Sequence, residues 1–240
     1  MSEQLSMEEF FGDKINSFGE PHLACALLLD TSGSMQGKAI ESLIEGINRF
    51  KNSVLKDPIA RKRVDVALIT FDSAVNVISD FKPIDQMPTP QLKAFGYTYM
   101  AEGIQKAIDL VKERTKMYQA LGTPCHKPWI FMITDGESTS TKIDMEMAAE
   151  RIKLEEEKGT NGKLSFWVLG INNYNADAMF ELTPRVMELR DENFEGIFDW
   201  LSESMSTISQ SHVGERVEFD PLPINARKAE KDRKIDEGWY

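Results

Sequence analysis

LACALLLDTSGS, residues 23–34, sets the reading of the whole chain. Its first seven residues are apolar without alternation, the pattern of a strand covered on both faces of a parallel sheet. The run ends abruptly on Asp30, and Ser32 and Ser34 follow at two-residue steps. Side chains at i, i+2 and i+4 of an extended or turning segment can converge on one point. Open α/β sheets bind ligands outside the carboxyl ends of their strands. The stretch therefore raises three chemistries: a nucleophile, a phosphate cradle or a metal site.

Further apolar runs of strand length are VDVALITF (64–71), WIFMIT (129–134) and LSFWVLGI (164–171). A shorter AVNVI (74–78) follows the second run after two residues, which is hairpin spacing and predicts one antiparallel edge strand. A last short strand is expected over 185–189. Between the strands, Ile40, Leu43, Ile44 and Ile47 form a helical stripe, repeated by Ile104, Ala107, Ile108 and Val111. A more charged helix is expected over 142–158, stopped by Gly159 and the Asn161-Gly162 pair. The final helix, 193–210, presents Phe194, Ile197, Phe198, Leu201, Met205 and Ile208. Strands alternating with helices predict an α/β fold: a doubly wound, mostly parallel sheet with right-handed crossovers and helices on both faces.

Composition narrows the function. The 240 residues suffice for one α/β domain with a sizeable core. A formal charge of −11 argues against nonspecific nucleic-acid binding, because phosphate backbones reward positive patches. No apolar run approaches the ~18 residues of a membrane span. The start, MSEQLSMEEFFGDK, lacks the basic and apolar regions of a signal peptide. Cys25 and Cys125 read as reduced thiols, so a soluble, cytoplasmic protein is expected. Residues 1–19 are expected to be an N-terminal extension, 20–212 the domain, and 213–240 a charged, flexible or peripherally docked tail ending in Trp239 and Tyr240.

Two other loops supply oxygens to the strand ends that carry DTSGS. Thr98 lies in AFGYTYMAEGI, just before a helix, and Asp135 follows the apolar strand of WIFMITDGES. A serine nucleophile is a poor match: glycines do not stand two residues either side of Ser32 or Ser34. His22 and His126 lie at the opposite strand ends, about 20 Å away at ~3.3 Å per residue, and His212 closes the last helix. GSMQGKA (33–39) misses the phosphate-loop spacing and has Ala39 where a hydroxyl is needed; GxGxxG is absent. A divalent cation fits best. Oxygen donors select Mg²⁺, Ca²⁺ or Mn²⁺ over zinc, and neutral hydroxyls leave the ion electrophilic enough to recruit an outside carboxylate. Helix capping by Asp30 and Ser32 is the plainer reading, but it leaves Thr98 and Asp135 unexplained. A metal-dependent phosphoester hydrolase with Glu137 as its acid/base group, and a scaffold acting without metal, stand as alternatives.

DTSGS, the threonine of GYT and the strand-ending TDG together resemble the von Willebrand factor A domain with its metal-ion-dependent adhesion site, over roughly residues 20–212. The resemblance implies six strands in the order 3-2-1-4-5-6 with an antiparallel edge. It implies that Ser32 and Ser34 bind the metal directly and Thr98 directly or through water. Asp30 and Asp135 would act through waters and hydrogen bonds, and a partner's Asp or Glu would complete an octahedral shell around Mg²⁺. LLLDTSGSMQG and ITDGEST are similar to bacterial tellurite-resistance Y-type proteins. That likeness implies a non-enzymatic scaffold in a stress-response module with a PP2C-type phosphatase and a Ser/Thr kinase. The chain departs from the family's double-glycine loop by having Tyr97 before Thr98.

Overall fold

The computed structural model describes residues 15–17, 19–157, 163–172 and 174–229. The helix stop expected at Gly159 and Asn161-Gly162, and the terminal Trp239 and Tyr240, lie outside the described residues. Strands β1 (Leu23–Asp30), β2 (Val64–Phe71), β3 (Val75–Pro83), β4 (Trp129–Thr134), β5 (Ser165–Ile171), β6 (Val186–Leu189) and β7 (Ala226–Lys228) form one sheet. Its order is β3-β2-β1-β4-β5-β6-β7. The inner neighbours are parallel, while β3 and β7 pair antiparallel at the two edges.

The expected doubly wound order is therefore present, with one correction. The sheet has seven strands rather than six, and two antiparallel edges rather than one. The added strand comes from the segment assigned to the charged tail. Only Ala226 of its three residues is buried, so no apolar run announces it. Its position is set instead by backbone pairing with Met187, Glu188 and Leu189. On the way there the chain inserts Phe219 among Trp129, Trp167 and Trp200, and the indole N–H of Trp200 donates to Asp220 O at 2.8 Å.

The unbroken apolar run of β1 is explained by two cores. Leu23, Cys25, Leu27 and Leu29 point to one face, and Ala24, Ala26 and Leu28 to the other. The first face is covered by α1 (Lys38–Lys56) and α6 (Glu195–Gln210), which bury Leu43, Ile47, Phe50, Phe198 and Leu201. The second is covered by α3 (Met100–Ala120) and α4 (Lys142–Glu157). Two short helices, α2 (Ala60–Arg63) and α5 (Ala176–Leu182), complete the α-helices of the described residues. The second of these begins where the Asn175 side chain accepts from Ala178 N at 3.1 Å, the ordinary N-cap bond.

Where α1 crosses α6, Gly46 lets the backbone meet the buried ring of Phe198. A Cβ at that position would stand 2.3 Å from Phe198 Cδ2. Gly46→Ala gains about 1 kcal/mol of helix propensity but overpacks a ring that is 1% exposed, at about 1–3 kcal/mol. The expected net result is a loss on the order of 1 kcal/mol, read as a lower urea midpoint with an unchanged slope.

Candidate functional site

The upper ends of β1 and β4 lie side by side, with Leu29 opposite Ile133. Asp30, fully buried, spans the gap between them. Its Oδ1 accepts from Ser32 N at 2.8 Å, and its Oδ2 accepts from Thr134 Oγ1 at 2.6 Å. The first bond folds the chain back sharply after the strand. Ser32 precedes a single 3-10 turn, Gly33–Met35, without a side-chain cap bond, so its hydroxyl is not spent on capping. It lies instead 3.0 Å from Ser34 Oγ, and Ser34 Oγ donates to Asp135 Oδ1 at 2.7 Å. Since Ser34 has one proton and gives it to Asp135, Ser32 is the donor to Ser34.

Asp30, Ser32, Ser34 and Asp135 are thus linked in one run of hydrogen bonds. Ser34 is exposed, while Asp30, Ser32 and Asp135 are buried. Thr98, also buried, is brought to the same rim by its loop. Phe95 N donates to Thr31 O at 2.9 Å and Gly33 N to Gly96 O at 3.2 Å. Tyr97 N donates to Ser73 Oγ and Tyr99 N to Asp72 O, both at 2.9 Å. Asp72 in turn accepts from Thr31 Oγ1 at 2.9 Å. Gly96 has φ of 77°, and a Cβ there would stand 2.2 Å from Ser73 Oγ. A glycine is needed at position 96; at 97 the side chain of Tyr97 simply projects outward and stacks with Tyr99.

The electrostatics of the two carboxylates are alike. Burial pushes Asp30 up to about 6, and the bonds from Ser32 and Thr134 only partly offset this. Burial also raises Asp135, aided by the charge of Glu192, against the hydrogen bond from Ser34. Positive charge at this place would relieve both groups. The donors are hydroxyl and carboxylate oxygens, the set preferred by hard divalent cations. Among the described residues, no three His, Cys, Asp or Glu side chains gather into a metal-ligand cluster. Any cation here would accordingly depend on the hydroxyls. Glu137, the acid/base candidate at the mouth, accepts a hydrogen bond from Asn175 Nδ2 at 3.1 Å.

Sequence reasoning did not assign roles to Thr31, Asp72, Ser73 and Thr134, which hold the site from behind and beside. Thr31 and Thr134 adjoin the motif residues, but their partners depend on strand neighbours that only the folded sheet reveals.

Residues 25–137 match the von Willebrand factor type A domain. Among solved structures, the chain is similar to a von Willebrand factor type A protein from Catenulispora acidiphila, with 14% identity and a TM-score of 0.58 over 81% of this chain and 48% of that one. It is similar to the open conformation of the pilus adhesin SpaC from Lactobacillus rhamnosus GG, with 14% identity and a TM-score of 0.61 over 81% and 31%. It is also similar to proximal thread matrix protein 1 from the mussel byssus with a zinc-occupied metal-ion-dependent adhesion site. That match has 16% identity and a TM-score of 0.50 over 79% and 45%. The chain spans about half or less of the length of these proteins, and at such identities the likeness is one of fold. No curated protein sequence matches it. No described helix is long and apolar enough to cross a membrane.

The raised Asp30 gives a pH signature in chelator-treated protein. A carboxylate held near 6 in the folded state and near 3.9 when unfolded binds its proton more tightly when folded. Stability then falls as pH rises from about 4 to about 6, and the full cost remains above that range. Asp30→Asn removes the cost. It is expected to match wild type near pH 4 and to exceed it by on the order of 1–3 kcal/mol above pH 7. Parallel stability–pH curves from denaturant titrations would contradict the assignment.

Proposed function

Because residues 25–137 match the von Willebrand factor type A domain, we propose that this protein is a cation-dependent protein-interaction module. Ser32, Ser34 and Thr98 hold a divalent cation, Mg²⁺ by preference with Ca²⁺ and Mn²⁺ as the other hard candidates, while Asp30 and Asp135 balance its charge. The observation that carries this reading is the hydrogen-bonded run Asp30–Ser32–Ser34–Asp135, with both of its carboxylates raised by burial. The bound cation supplies an electrophilic centre for an Asp or Glu carboxylate of a protein partner. The mussel protein with its zinc-occupied adhesion site supports divalent-ion binding by this fold.

The partner belongs to a tellurite- or stress-response module with a PP2C-type phosphatase and a Ser/Thr kinase, on the likeness of DTSGS and TDGEST to the tellurite-resistance Y-type proteins. The protein acts there as a non-enzymatic scaffold in the cytoplasm, in keeping with the free thiols of Cys25 and Cys125.

Two measurements test the reading. Mg²⁺ or Mn²⁺ at a hundred times its Kd should stabilise the protein by about 2.7 kcal/mol, and Ser32→Ala or Ser34→Ala should abolish the gain. Titration of the PP2C-type phosphatase or kinase should show binding that EDTA removes. Binding of equal strength with and without EDTA would refute the metal bridge.

A further inference from the structure

The cation-site reading leaves one unusual stretch without a role: residues 138–141, STST, just after Asp135. Such a run on a loop looks like surface filler, yet every hydroxyl in it is engaged. Ser138 Oγ donates to Thr98 O at 3.4 Å. Thr139 Oγ1 accepts from Thr98 N at 2.9 Å, while Thr139 N donates to Thr98 O at 2.9 Å. Ser140 Oγ accepts from Ala101 N at 3.1 Å and donates to Glu102 Oε2 at 2.7 Å. Thr141 Oγ1 accepts from Asp144 N at 3.2 Å at the start of α4.

Three of these four hydroxyls act on one short segment, Thr98 and the beginning of α3. Helix α3 starts without a side-chain cap of its own, since Tyr99 makes none. Ser140 serves one of its orphan N–H groups from across the mouth. Both backbone polar groups of Thr98 are directed to Thr139. Thr139 is itself exposed, whereas Thr98, whose amide it accepts, is buried. The bond therefore both serves a buried amide and fixes its place.

We propose that residues 138–140 form a latch and that Thr139 is a positioning residue for the cation site. The latch fixes where Thr98 stands and ties it to the loop that follows Asp135, so that donors from two different loops arrive as a unit. The role rests on the proposed cation binding, in which Thr98 is a ligand. Groups that orient metal ligands through hydrogen bonds typically change affinity 10- to 100-fold when removed. The tie removed is one side-chain acceptor on the Thr98 backbone, and the backbone bond from Thr139 N to Thr98 O survives its loss, which places the effect at the lower end.

The test uses Mn²⁺ binding followed by electron paramagnetic resonance, together with hydrogen exchange of the Thr98 amide in chelator. Thr139→Val keeps the shape but loses the acceptor. It is expected to weaken Mn²⁺ binding roughly tenfold and to speed exchange at Thr98. Thr139→Ser should restore both readouts to wild-type values. Thr139→Ala removes the same acceptor and replaces the valine variant should that one not fold. Wild-type affinity in Thr139→Val, an unchanged Thr98 exchange rate, or a serine variant that behaves like valine would each overturn the latch. Failure of the wild-type protein itself to take up Mn²⁺ would instead reject the cation reading, and the latch with it.

Discussion

A strand buried on both faces cannot bring water to its own polar end. That constraint governs the upper rim of this protein. β1 is packed between two cores, and its last residue, Asp30, is fully buried with a carboxylate whose charge the surroundings penalise. The local answer is an amide from the turn after β1, that of Ser32, and a hydroxyl from the end of β4, that of Thr134, both aimed at that carboxylate. Each following element is arranged around this turn: Ser32 and Ser34 lean on one another, Asp135 accepts from Ser34, and the Thr98 loop is bonded to its back.

Rigidity at the rim comes from connection between loops rather than from apolar packing within them. The turn after β1 is bonded to the Thr98 loop, and that loop to the β2–β3 turn through Ser73 and Asp72. The loop after β4 closes the set on the far side. Four loops from distant parts of the sequence thus share backbone hydrogen bonds. Tyr97, in place of a second glycine, does not loosen this set. The loop turns on Gly96, whose positive φ and close approach to Ser73 leave no room for a side chain.

Much of this was legible in the sequence because burial on two faces writes itself into unbroken apolar runs. β1, β2, β4 and β5 lie at or within one residue of the quoted runs, and the two-residue step before AVNVI gave the antiparallel edge. The five oxygen-bearing residues could be placed at one sheet edge because strand ends in a doubly wound fold have a known side. β7 was not legible. Its residues, Ala226-Arg227-Lys228, are mostly charged, and a three-residue strand held by backbone bonds has no side-chain signature. The short helix α5 escaped for a similar reason, since seven residues are too few for a helical stripe to stand out. The partners of Thr98 were also hidden: a hydroxyl in STST carries no mark of which amide it will meet, 41 residues away in the case of Thr139.

The two ends of the same sheet treat a buried acid in opposite ways. At the lower end Asp65, also fully buried, is met by Arg114 at 2.9 Å, by His22 Nδ1 at 2.9 Å and by the hydroxyl of Tyr118. Arg114 is buried with it, against the rings of Phe81 and Tyr118. A buried charge of this kind is tolerated only when paired and hydrogen-bonded, and here the chain supplies the cation itself. At the upper end, Asp30 and Asp135 are surrounded by hydroxyls and amides, and burial and neighbouring acids raise them both. Hydroxyls and amides satisfy hydrogen bonds but bring no positive charge. One fold has thus closed one acid site internally and built the other from neutral donors. On the proposed reading, that difference is what makes the upper end a place for an external cation and leaves the lower end to hold the structure.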